Sequence, residues 1–415
     1  MKDNKKKRFG IKTSSRKKGK LKPLERFTPK KAEDNRDWKE KLFKHRAQIV
    51  TRVGIFVAVM ILAALFFYIR YLNKEYTAYE TLSSVENRVV TGARVEVLGD
   101  KFLIYGNDGA KCIDSKGEVI WNVTYEMQNP KVDIDNNVVG IADYNGSTIH
   151  MMDTQSVLGE ISTGMPIRLF RVSAKGLAIA VLDDSQKMPI YIYGTDGEQK
   201  AFFYTTMRNS GYPISVCISE SGHLVGISYL YEDAASYKTN IAFYNFGEVG
   251  QNKTDNLVSG NTYANAIVPC IEFVENSKVV AVADNRLMVY SGEEIPTSTG
   301  EVLVQEEIQA VFFGKEYVAL VHNNTEGDER YRIDIYNGDG ECEDTVYYNE
   351  EYSEMFFDDG RLIIYGPEYF YIHNVNGIDK YKGELGPGVL AVMPTNVSNR
   401  FVVVTNESID TIELR

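Results

Sequence analysis

Side chains that do chemistry must converge, and in this chain the reactive ones are spaced far apart. The cysteines are Cys112, Cys217, Cys270 and Cys342, with no CxxC pair and no Cys/His cluster, so no zinc-ligand spacing is present. Extracytoplasmic placement would permit disulfides, and Cys217 and Cys270 fall in equivalent strands of neighbouring repeats; four buried free thiols are the alternative. The five histidines are His45, His150, His223, His322 and His373, and neither HExxH nor GxSxG occurs. Asp133, Asp135 and Asn137 begin an EF-hand register, but Val138 stands where glycine is needed and Tyr144 where glutamate is needed. That stretch and the acidic loop Asn323–Glu329 therefore read as solvated turns. The many acids leave room for a carboxylate pair able to cleave glycosidic bonds. No catalytic, metal or cofactor residue can be named from spacing alone.

The elements that would position such groups begin with a division of charge. Residues 1–52 hold 20 Lys+Arg against 6 Asp+Glu, whereas the remainder holds 26 against 51. The break falls at VGIFVAVMILAALFFYI (53–69), an uncharged run that, with Ile49, Val50 and snorkelling by Arg52 and Arg70, reaches the ~20 residues of a membrane-spanning helix. The tail is too long for a cleaved leader's basic region, which makes the segment a signal-anchor. Its Lys/Arg excess places the N-terminus in the cytoplasm and the large C-terminal part outside, in the cell envelope. The basic runs KKKR (5–8) and RKKGK (16–20) read as a topology signal touching anionic lipid. The acidity of the large part argues against nucleic acid as a partner. The expected domains are a disordered tail (1–48), a membrane helix (49–69), a helical stalk (70–84) and a folded domain (85–415). Trp38–Ala47 also has the pattern of a short amphipathic helix on the membrane surface.

Beyond Val85, short Val/Ile/Tyr/Phe-rich runs alternate with turn signals about every ten residues, which is strand texture. AKCIDSKGEVIWN (110–122), IYGTDGEQKAFFY (192–204) and IYNGDGECEDTVYY (335–348) share one form: strand, tight turn ending Gly-Glu, strand. Gly117, Gly197 and Gly340 align, and Gly377 holds the same place. Four strands per unit of about 40 residues predict an all-β, seven- to eight-bladed propeller of quinoprotein-like or WD40-like type. A tandem of β-sandwiches is the alternative. The last unit has only three strands of its own, and Asn87–Thr91 is expected to supply the fourth and close the ring.

The Ile113–Trp121 stretch resembles the repeat of quinoprotein-like (PQQ-type) propellers. GYPISVCISESG…ISYL (211–230) and AFYNFGEVGQN (242–252), with the basic tail and single anchor, resemble a Gram-positive bacterial family of membrane proteins classed as a domain of unknown function with such a propeller. The resemblance spans nearly the whole chain and implies an envelope setting without an activity. A PQQ enzyme of this fold implies an adjacent Cys-Cys pair, which is absent here, so no cofactor is expected.

The functional expectation is a non-catalytic protein-binding or scaffold module for an envelope protein or a cell-wall polymer. The alternative is an enzyme acting on envelope glycans with carboxylates at the propeller funnel. Buried acids of raised pKa at the channel would favour the alternative; a channel of Val, Ser and Gly would remove it. The expected contact surface is the fourth unit, where Tyr212, Tyr229, Tyr231 and Tyr244 crowd beside Asn245, Gln251 and Asn252, with alternate tyrosines turned into the core. The polar segment Asn245–Thr262, taken as a connection between the fourth and fifth units, is the expected functional loop.

Overall fold

A computed structural model describes residues 34–415 apart from 185–186, 206–209, 234–235, 276 and 326. The basic tail therefore lies largely outside the described residues. The chain divides into two compact units, Met1–Leu72 and Asn73–Arg415.

In the first unit one helix runs Asp34–Leu72. Within it Trp38–Arg70 is long and apolar enough to cross a membrane: its most apolar 18-residue stretch has a mean hydropathy of 2.5, and none of that stretch is buried in protein. Trp38–Ala47 is continuous with the apolar run and forms no separate helix. Nothing between them breaks the hydrogen-bond ladder: there is no proline, and the Thr51 hydroxyl bonds back to the Ala47 carbonyl at 2.8 Å.

The second unit is an eight-bladed β-propeller of eight four-stranded antiparallel sheets. Blades one to seven use consecutive strands within 94–124, 130–162, 167–205, 212–264, 270–303, 308–348 and 354–384. From blade two to blade seven the first strands of neighbouring blades touch one another, and blades one and two meet through their fourth strands. Arg361–Tyr365 of blade seven touches Val389–Pro394 of blade eight, and Arg94–Leu98 of blade one touches that same strand, so the ring is closed. First strands thus line the axis and fourth strands form the rim. The second and third strands are apolar on both faces and fill the space between blades: Ile179, Val181, Ile190 and Ile192 of blade three meet Val225, Ile227 and Tyr229 of blade four.

The repeated turn explains its own sequence. Asp114 Oδ1 accepts from the N–H groups of Lys116 (2.8 Å) and Glu118 (2.9 Å), and Gly117 sits at φ 79°. Gly197, Gly340 and Gly377 have φ of 75°, 81° and 88°, the left-handed region that a Cβ disfavours. Trp121, in the outermost strand of blade one, donates its indole N–H to the Asp153 carbonyl of blade two at 2.7 Å.

Closure differs from the expectation. Blade eight's fourth strand is Tyr79–Glu86, paired with Ser408–Leu414, and all but its last two residues fall in the segment read as helical stalk. Asn87 and Val89 only continue that edge, donating to the carbonyls of Glu407 (2.9 Å) and Asn406 (3.1 Å). As a rim strand, YETLSSVE is mostly exposed on both faces and lacks the apolar alternation that marks interior strands. The propeller thus begins well before Val85.

Candidate functional site

The segment expected to be a functional loop lies inside blade four. Residues 246–256 join its third strand, Ser236–Asn245, to its fourth, Leu257–Ala264. Asn245 is buried. Its amide accepts from Gly247 N–H at 2.7 Å and donates to Glu294 of blade five, at 3.0 Å to the carbonyl and 2.7 Å to Oε2. A Cβ on Gly250 would stand 1.5 Å from the Asn245 carbonyl oxygen. The Asn-Phe-Gly-Glu-Val-Gly stretch is therefore a clasp between blades four and five.

Tyr229 and Tyr244 are likewise buried, their hydroxyls 3.0 Å apart. This is the core fate expected for alternate tyrosines, and it removes both from any contact surface. Tyr212, Gln251 and Asn252 are exposed and Tyr231 is half-buried, but Asn252 donates locally to the Glu248 carbonyl at 3.0 Å. The seven candidate residues thus divide between a buried core and scattered surface positions that form no common face.

The ring brings together a different set. A cavity of about 810 Å³ opens at the end of the channel where first strands turn into second strands. Its wall includes Asp133, Asp135 and Asn136 of blade two, Arg171 of blade three, Glu220 of blade four, Glu272 and Glu275 of blade five, and Lys315 and Glu316 of blade six. Six carboxylates face two cations, an imbalance that attracts positive charge.

Arg171 organises the inner wall. Its Nη1 lies 2.6 Å from Asp133 Oδ1 and its Nη2 lies 2.9 Å from Glu272 Oε2. Its Nε donates to the Val216 carbonyl at 3.2 Å. One planar fork from blade three therefore ties blades two, four and five. Asp133 Oδ2 also accepts from Val172 N–H at 2.6 Å, and Asp135 Oδ2 from Ala174 N–H at 2.7 Å. The calcium-like spacing of Asp133 and Asp135 serves these bonds to blade three, and among the described residues no cluster has the makings of a metal site.

Burial pushes the Glu272 carboxyl up to about 7, against the lowering effect of Arg171. Burial also raises Asp135, opposed by its bond from Ala174 N–H. Burial opposes the Arg171 charge, but Glu272 and Asp133 outweigh it and hold the guanidinium above its usual value. Farther round the channel, burial raises Glu96 and Glu354, and Glu96 accepts from the Tyr105 hydroxyl at 2.7 Å.

The histidines do not join this wall. His373, in blade seven, has Nδ1 2.7 Å from Asp379 and Nε2 2.7 Å from Asp344 of blade six, a buried clip between blades. His150 stacks on Tyr125, and burial lowers its pKa. All four cysteines are free thiols: Cys112 and Cys217 buried, Cys270 half-buried and Cys342 exposed, the last two departing from the expectation of four buried thiols. Burial raises the Cys112 thiol to about 11 and Cys217 well above its ordinary value.

Residues 72–414 match the model of a family of unknown function, DUF5711. The chain belongs to that family. No curated protein matches it. Among solved structures it is similar to BamB from Moraxella catarrhalis, at 11% identity over 81% of this chain and 100% of that one, with a TM-score of 0.47. It is similar to apo AztD from Citrobacter koseri at 7% identity, over 70% and 85% of the two chains, with a TM-score of 0.49. A eukaryotic initiation factor matches at 11% identity, over 80% and 84%, with a TM-score of 0.50. At such identities the likeness speaks to the propeller fold alone.

Arg171, Glu220, Glu272, Glu275, Lys315 and Glu316 were not singled out by sequence reasoning. A signal existed. Each lies in, or just after, a first strand, where a charge interrupts an apolar run, as in LFRV and CIEFVE. Superposing the repeats on one blade would have gathered them.

Proposed function

We propose that the chain is a single-pass membrane protein with an extracytoplasmic propeller acting as a non-catalytic binding module. In this reading it docks a basic segment of another envelope protein in the acidic channel mouth. The observation that carries it is the cavity wall, where six carboxylates gathered from four blades face Arg171 and Lys315. Such a wall favours a cationic protein segment over an anionic cell-wall polymer. The anchor reading rests on the apolar helix Trp38–Arg70 and on the basic tail before it. The test is crosslinking in intact cells followed by affinity purification and mass spectrometry. A triple variant, Asp135→Asn with Glu220→Gln and Glu316→Gln, serves as comparison. A dominant partner with a lysine- or arginine-rich segment, lost in the variant, supports the reading. A partner retained at wild-type level, or no protein partner, overturns it.

A second reading, an enzyme on envelope glycans, draws on the channel carboxyls that burial holds toward neutrality, Glu272 above all. Against it, Asp133 and Glu272 are pinned by Arg171, and Asp133 and Asp135 also by backbone N–H groups, which fixes a wall more than it frees a proton donor. Release of new reducing ends from purified cell-wall glycan, lost in Glu272→Gln, would favour it over the binding reading.

A further inference from the structure

Blades two and six stand four places apart in a ring of eight, on opposite sides of the channel. Yet Lys315, in the first hairpin of blade six, donates from Nζ to Asn136 Oδ1, in the first hairpin of blade two, at 2.9 Å. Both residues line the cavity. This bond therefore crosses the mouth of the channel.

We propose that Lys315 is a strap that gates the mouth, held shut by Asn136 and released when a ligand's ammonium takes its place. The role of the ligand rests on the reading of the mouth as a site for a basic segment. The two ends of the strap are fixed while its middle is free. At the far end Asn136 also donates from Nδ2 to Asp135 Oδ1 at 3.1 Å, and Asp135 is held in turn by Ala174 N–H. The amide is thus oriented with its oxygen toward Lys315. Asn136 holds φ at 54°, a left-handed turn conformation that suits asparagine. At the near end a Cβ on Gly314 would lie 2.7 Å from Phe357 Cβ, so the hairpin backbone is seated against blade seven. Tyr317 packs on the same ring, with centroids 5.5 Å apart. Between these ends runs only the exposed, flexible lysine stem, whose release regains rotamer freedom without moving the backbone. Lys315 is thus a tethered cation over an acidic mouth, in competition with cations from outside.

The test uses the full-length protein in detergent, with Cys342→Ser removing the exposed native thiol and Ile134→Cys placing a reporter in the cavity wall. The readout is the rate of modification by a polyethylene-glycol maleimide, corrected by the parent lacking Ile134→Cys. Lys315→Ala and Asn136→Gly remove the bond from opposite ends, the second keeping the left-handed turn. A gate closed for most of the time predicts a rate rise of about threefold or more in each, and no further rise in the double variant. Unchanged rates in both variants, with melting curves like the parent's, overturn the strap. In parallel, hexalysine binding is measured on the wild type and on Lys315→Ala. Tighter binding to Lys315→Ala supports the exchange of one ammonium for another. Faster labelling with no hexalysine binding to either form leaves the strap supported and overturns the reading of the mouth as a site for a basic segment.

Discussion

Blade four and the channel mouth make opposite uses of polar side chains. In blade four a dense local run of tyrosines is spent on packing. Tyr229 and Tyr244 pair their hydroxyls, and Tyr263 pairs with Tyr290 of blade five at 2.7 Å, so each buried hydroxyl in these pairs finds a partner. At the mouth, single charged residues, sparse in sequence, become near neighbours around one cavity. Local density of interesting residues marks a core, and sparse recurrence marks a site. A propeller enforces this, because sequence neighbours spread along a radius while equivalent positions of successive blades share an axis.

The comparison can be broken by mutation. The largest effect is expected in the core. Tyr229→Ala should cost about 3–5 kcal/mol in denaturant unfolding, through lost burial and the cavity left behind. Any effect of that variant on hexalysine binding at the mouth, measured while it is folded, would erase the distinction between the regions. Arg171→Met should cost on the order of 2 kcal/mol, since it leaves Asp133 and Glu272 without their cation. The figure is set below that of a fully buried pair because the arginine side chain is 37% exposed and partly screened.

Glu272 sharpens the comparison through pH. Its folded-state pKa of about 7 lies above the ordinary 4.5, so the folded form holds the proton more tightly than the unfolded form. This contribution is fully present below about 4.5 and is lost as pH rises through about 7. Between pH 5 and 8, Glu272→Gln should flatten the fall in stability by on the order of 1–2 kcal/mol, read from urea midpoints at each pH. A parallel shift of the whole curve would place the proton elsewhere. The smallest effect belongs to Tyr229→Phe, which removes one buried hydroxyl bond and should cost about 1 kcal/mol with no dependence on pH below 9.

Much of the architecture was legible because it is local. The turns that end Gly-Glu specify their own geometry: Asp114 in one and Asn337 in another each cap two N–H groups, and the glycine takes positive φ. Repetition of that turn gave the blades, and the apolar run gave the candidate membrane span. The seam was misplaced because a rim strand with water on both faces carries no alternation, so Tyr79–Glu86 does not announce itself. The clasp at Asn245 was misread because a buried, fully bonded asparagine and an exposed one look alike in a polar segment.

The sequence by itself determined the interior strands, their turns, the charge division and the apolar helix, since each depends on residues within one or two turns of chain. Only the tertiary structure decided where the seam closes, which tyrosines are core and which charges meet. Those outcomes depend on which positions share an axis, and a bond such as Lys315 to Asn136 spans 179 residues of chain, beyond the reach of any local pattern.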